Sequence, residues 1–89
     1  MTYTYADVAK MLDHSLLNPT MTTADFEAGC RLAVAYDCAS VCIQPYYLKR
    51  CTELLAGSTV VPSTVIGFPH GGHTTAIKVA EAKQALADG

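Results

Sequence analysis

Two short stretches carry side chains able to do chemistry. In "ASVCIQP", residues 39–45, Val41 and Ile43 alternate with Ser40, Cys42 and Gln44. A strand of that pattern turns its β-branched residues one way and a small, polar, thiol-bearing row the other. A row facing water would ordinarily carry Lys, Glu or Thr; small uncharged groups suit a confined space. In "LDHSLLNP", residues 12–19, Asp13, Ser15 and Leu17 share one face, and Leu12, His14 and Leu16 the other. Asp13 is the only acidic residue inside any expected strand, where a carboxylate is costly unless it is paired or employed. It either bonds nearby backbone amides or His14, or it faces a polar site. Cys42 admits two readings as well, a small core residue or a pocket thiol. Ser15 is either a satisfied hydroxyl or a neighbour of Asp13 in the same site.

Other reactive types point to less. His70 and His73 flank Gly71 and Gly72 after the third expected strand, without carboxylate partners, so capping or solvation suits them better than metal binding. Cys30, Cys38, Cys42 and Cys51 contain no CxxC pair, and the histidines complete no zinc pattern, which favours reduced, mostly buried thiols. Lys10, Lys49, Lys78 and Lys83 all fall on expected helices. A lysine that forms a Schiff base needs a desolvated pocket to be a free amine near neutral pH, and a helix surface does not provide one.

The elements that must position these residues follow a coarse repeat. A short helix over about 4–12 begins at Thr4, with Asp7 three residues on as its capping partner, and Tyr5, Val8, Ala9 and Leu12 share its apolar face. Three βα units follow, at about 12–37, 40–57 and 60–89. In the first helix, "TTADFEAGCRLAVAYD" (22–37), Thr22 or Thr23 is the cap and Phe26, Cys30, Ala33 and Val34 line one side. In the second, "YYLKRCTELLAGS" (46–58), Leu48, Cys51 and Leu55 face inward and Gly57 is the stop. Pro62 is expected just before the third strand, and Val79, Ala82 and Leu86 on one face of the last helix. Strands alternating with helices at this spacing predict a parallel sheet in one α/β segment. Helices on one side alone leave the other sheet face bare, although parallel sheets are normally covered on both.

Composition bounds the rest. The 89 residues are 51% hydrophobic and 16% charged, rich for one small domain, so part of the apolar surface calls for a partner: further βα units or another copy of the chain. A net charge of -2 offers no basic field for nucleic acid or anionic membrane. No apolar run approaches the ~18 residues of a membrane span, and the opening "MTYTYADVAK" lacks signal-peptide character. A cytoplasmic protein is the expectation.

Four motifs in register, "LDHSLLNP", "ASVCIQPYY", "TVIGFPHG" and "KVAEAKQALADG", resemble the N-terminal part of the deoxyribose-phosphate aldolases. The resemblance runs from about Leu12 to Gly89 and implies a partial TIM (β/α)8 barrel, an N-terminal helix plus three parallel βα units. It implies a class I lyase reaction: reversible cleavage of 2-deoxy-D-ribose 5-phosphate to acetaldehyde and glyceraldehyde 3-phosphate through a lysine Schiff base, without metal or organic cofactor. By the same resemblance Asp13, Ser15 and Cys42 line the substrate pocket, with Cys42 a wall residue and not the nucleophile. The family's Schiff-base lysine, second active-site lysine, relay aspartate and phosphate loops match no position here. This segment alone is therefore expected to be inactive, its partner being the remainder of a barrel. The competing expectation is a non-catalytic α/β module that self-associates, and a third is a residual half-site for small aldehydes or sugars.

Overall fold

A computed structural model describes residues 2–89. Its elements, in chain order, are α1 (Tyr5–Ala9), β1 (Asp13–Leu16), α2 (Thr23–Tyr36), β2 (Ser40–Ile43), a 3-10 turn (Pro45–Tyr47), α3 (Leu48–Leu55), β3 (Val61–Thr64) and α4 (Thr75–Asp88). The three strands form one parallel sheet in the order β1-β2-β3. Helices α2 and α3 pack on one face of it, and α3 in turn carries α4.

Local sequence explains where the elements start and stop. Thr4 and Thr22 each accept a hydrogen bond from the backbone N–H three residues on, at Asp7 and Asp25, whose carboxylates accept in return from the Thr4 and Thr22 N–H groups. Each reciprocal pair satisfies two N–H groups that a helix start leaves orphaned. α2 ends at Asp37, which takes the left-handed conformation (φ 53°), and α3 is followed by Gly57 at φ 79°, where glycine avoids the Cβ clash. Gly29 serves a different need. A Cβ there would stand 2.5 Å from Leu16 Cδ2, so its absence lets α2 lie directly on β1.

The core sits between α2, α3 and the sheet. Val41 and Ile43 are fully buried among Phe26, Cys30, Ala33, Leu48, Cys51 and Leu55. Each large aliphatic group buried there contributes roughly 1.5–3 kcal/mol. Phe26 stacks on Tyr47 with ring centroids 4.7 Å apart and meets the edge of Tyr46 at 6.0 Å. At the N-terminal end of the strands Lys10 ties α1 down. Its ammonium donates to Asp37 Oδ1 at 2.8 Å and to the Cys38 and Thr59 carbonyl oxygens at 3.2 and 3.0 Å.

Several expectations shift in detail. Pro62 lies inside β3, opposite Val41, and not before the strand. Val61 N–H donates to the Ala39 carbonyl, so its neighbour Pro62 points its missing donor away from β2, at the sheet edge where proline costs no ladder bond. The second βα helix opens as a 3-10 turn because Pro45 leads it and Gln44 provides no side-chain cap. Val34, Val79 and Leu86 are exposed, as are Tyr5 and Val8 on α1 and Leu12 after it. α4 touches the core through the half-buried Ala85, and the apolar side of α1 lines an open groove of about 270 Å³ with His14, Leu32 and Tyr36.

Acid sensitivity follows from the caps. Asp7 and Asp25 are held below the usual carboxylate range by their threonine backbone and hydroxyl hydrogen bonds, and Asp37 by those of Lys10 and then Thr59. A depressed folded-state pKa gives stability that is present above the unfolded value near ~4 and lost as pH falls through the folded value. The thermal midpoint should therefore hold from neutral pH down to about 5 and drop below about 4. An Asp7→Asn, Asp25→Asn double variant should lose part of that drop; an unchanged acid profile would contradict the assignment.

Candidate functional site: the helix-free face of the sheet

Strand register decides which side chains share the uncovered face. Ser40 of β2 pairs with Asp13 on one side and Val61 on the other, and Cys42 likewise with Ser15 and Ser63. In a parallel ladder paired residues point the same way, so these form two rows across three strands. Val41 and Ile43 point into the helices, as their chemistry predicts. Asp13 and Ser15 are exposed, Ser40 and Ser63 half-buried, and Cys42 is buried at 7% exposure.

Hydrogen bonds organise this face. Ser40 Oγ donates to Asp13 Oδ1 at 2.5 Å, which answers how the strand carboxylate is accommodated: it is paired across to β2, with His14 turned toward the opposite groove. Gln44 Nε2 donates to the Leu17 carbonyl at 2.8 Å and so ties the loop after β1 to the end of β2. The loop after β3 is held from outside, with Gly67 N–H donating to Glu81 Oε1 at 2.7 Å and Lys78 Nζ donating to the Gly71 carbonyl at 3.2 Å. The first contact joins the C-terminal ends of β1 and β2, and the other two hold the loop after β3 against α4.

The Cys42 thiol is pushed above its ordinary value by burial and then by the Asp13 carboxylate, against a hydrogen bond from Ser63 that favours the thiolate. It is therefore a neutral thiol at pH 7 and a poor nucleophile. Alkylation of Cys42 by iodoacetamide should speed up at fixed pH in Asp13→Asn, which removes the repelling charge, and slow down in Ser63→Ala. Peptide-resolved labelling across pH reads both, and an unmoved Cys42 profile in Asp13→Asn would sink the electrostatic account.

Ser63 was absent from the sequence-based candidates. In "VVPSTVIGFP" both alternating faces mix apolar and hydroxyl residues, and only the pairing of Ser63 with Cys42 reveals its side. His70 and His73 are both exposed, and no cluster of three metal-ligating side chains exists among the described residues. Of the four lysines, Lys49, Lys78 and Lys83 lie on helices and Lys10 at the end of α1, so among the described residues no strand carries one.

A parallel sheet in sequential strand order with helices on one face is the architecture of the opening part of a (β/α)8 barrel. Comparison bears this out. The chain superposes on the tetrameric deoxyribose phosphate aldolase of Aeropyrum pernix with a TM-score of 0.90 at 30% identity, over 97% of this chain and 37% of that one. The sequence model of the DeoC/LacD family aldolases matches residues 7–89, and the chain belongs to that family. It is 68% identical over 87 residues to the deoxyribose-phosphate aldolase of Rhodopirellula baltica, covering 98% of this chain and 36% of the relative. With the enzyme of the same name from Lactiplantibacillus plantarum it shares 50% over 80 residues, 90% of this chain and 37% of the relative. The chain thus spans about a third of the length of the curated relatives it matches.

Proposed function

We propose that this segment forms one wall of the substrate pocket of a class I aldolase that cleaves 2-deoxy-D-ribose 5-phosphate to acetaldehyde and glyceraldehyde 3-phosphate. The observation that carries the reading is the polar row on the helix-free face, Asp13–Ser40 beside Ser15–Cys42–Ser63, on a sheet whose family is an aldolase family. Asp13 keeps one carboxylate oxygen free of Ser40 and accepts from a sugar hydroxyl through it. Ser15, one layer nearer the strands' C-terminal end, has a hydroxyl that both donates and accepts. Cys42, neutral and tightly packed, shapes the wall between them. The electrophilic carbon is activated as an imine on a lysine that another part of the barrel supplies, since a protonated imine draws off the electrons released by C–C cleavage.

The self-associating module is the second reading. It draws on the exposed apolar groups at both lateral edges, Tyr5, Val8 and Leu12 beside β1 and Ile66 and Leu86 beside β3. Acetaldehyde with borohydride separates catalytic from non-catalytic behaviour of the chain alone. No single lysine should be reduced to a stoichiometric adduct, because Lys10 is bound to Asp37 and the other three are helix residues. Trapping at one lysine of this chain would overturn the assignment of the imine to another part of the barrel. A defined homo-oligomer that binds no sugar phosphate even with the rest of a barrel present would favour the module.

A further inference from the structure

Behind the sheet, on the side away from the pocket row, two thiols meet. Cys30 of α2 and Cys51 of α3 lie with their sulfur atoms 3.8 Å apart and share a hydrogen bond. They are 1% and 0% exposed, respectively. The geometry points to an oxidisable dithiol: Cys30 and Cys51 form a disulfide on reaction with a small peroxide, and the bond locks α2 onto α3.

Three observations support this. The sulfurs already meet across two helices although the cysteines are 21 positions apart in sequence, so bond formation starts from sulfur contact. The two sites also differ in proton affinity. Cys30 ionises more readily because Cys51 donates to its thiolate, with burial opposing and Arg31 assisting, whereas Cys51 is pushed the other way. One sulfur thus serves as the attacking thiolate and the other as the resolving thiol. Finally, the surface bridge between α2 and α3 is weak, consisting of Arg50 and Glu27 at 3.5 Å, both partly solvated. The seam is closed mainly by the core side chains Phe26, Leu48 and Leu55 around the thiols, so a small uncharged oxidant reaches them through transient local opening.

Hydrogen peroxide satisfies the balance. The Cys30 thiolate attacks one peroxide oxygen, the O–O bond breaks, and the departing hydroxide takes up a proton to become water, leaving a sulfenic acid. The Cys51 sulfur then attacks the Cys30 sulfur; the S–S bond forms, the S–O bond breaks and a second water leaves. Two thiols supply two electrons and two protons, and one peroxide becomes two waters.

The test treats folded, reduced protein with hydrogen peroxide, blocks remaining thiols with N-ethylmaleimide and cleaves after lysine and arginine. Cleavage isolates Cys30 on residues 11–31, Cys38 and Cys42 together on 32–49, and Cys51 on 51–78. Four thiols allow six pairs, so a specific site stands out from chance. The expected product is 11–31 linked to 51–78, several-fold above any other pair and abolished by dithiothreitol. Its formation should raise the urea midpoint of the chain. The inference is overturned if peroxide modifies only Cys42, if the pairs form without preference, or if the 11–31 to 51–78 link appears only in urea-unfolded chain. The wild-type product decides, whether or not a Cys51→Ser variant folds.

Discussion

Replacing Phe26 with alanine should remove roughly half or more of the chain's stability and lower its urea midpoint accordingly. The side chain is 1% exposed and stacks on Tyr47 while meeting the edge of Tyr46, so it joins α2 to the turn that begins α3. Truncating a buried phenylalanine costs about 3–5 kcal/mol, because transfer energy and a residual cavity add. A chain of this size has on the order of 5–10 kcal/mol in total, with the low end expected where a sheet is open on one face and both edges. By contrast, Val34→Ala, at a side chain 38% exposed, should cost under about 1 kcal/mol. Urea denaturation followed by circular dichroism measures both. A Phe26→Ala variant with the wild-type midpoint would mean that the core lies elsewhere.

The second large effect concerns Asp13 in an assembled barrel. Joined to the remaining two thirds of the Rhodopirellula baltica relative's barrel, Asp13→Ala should lower kcat/KM for 2-deoxyribose 5-phosphate cleavage by about 10- to 100-fold. That range corresponds to one charge-assisted hydrogen bond of about 1.5–3 kcal/mol between the carboxylate and a sugar hydroxyl. Stability should hardly change, since Asp13 is exposed and its side-chain partner among the described residues is Ser40. Asp13→Asn should recover part of the loss, because an amide still accepts while carrying no charge. Activity within twofold of wild type in Asp13→Ala would remove Asp13 from the pocket.

Much of this architecture was legible because local and global signals agree. The Thr4–Asp7 pair announces the start of α1 and is present, whereas sequence left Thr22 and Thr23 open as the cap of α2, which the Thr22–Asp25 pair turns out to close. Val41 and Ile43 announce the helix side of β2, and both are fully buried. What sequence could not supply was register. Whether Ser40 reaches Asp13 depends on Leu12 accepting from the Ala39 N–H and so aligning the two strands, a contact no pattern encodes. Ser63 escaped for the same reason, and Pro62 was displaced because its tolerance in β3 depends on which way alternate N–H groups point. The outer side of α4 misled differently. Its apolar residues follow helical spacing, yet Val79 and Leu86 stay exposed because this segment packs little against them. The proposed site is half visible in the same sense: its polar row is here, and no strand among the described residues carries the lysine that the proposed chemistry requires.

Borohydride trapping of acetaldehyde on this chain mixed with the complementary two thirds of the Rhodopirellula baltica barrel tests that division most directly. Peptide mass mapping should find one reduced adduct, on a lysine of the complementary piece, formed only when both pieces are present. An adduct on Lys10, Lys49, Lys78 or Lys83, or a complementary piece that traps equally well without this chain, would contradict it.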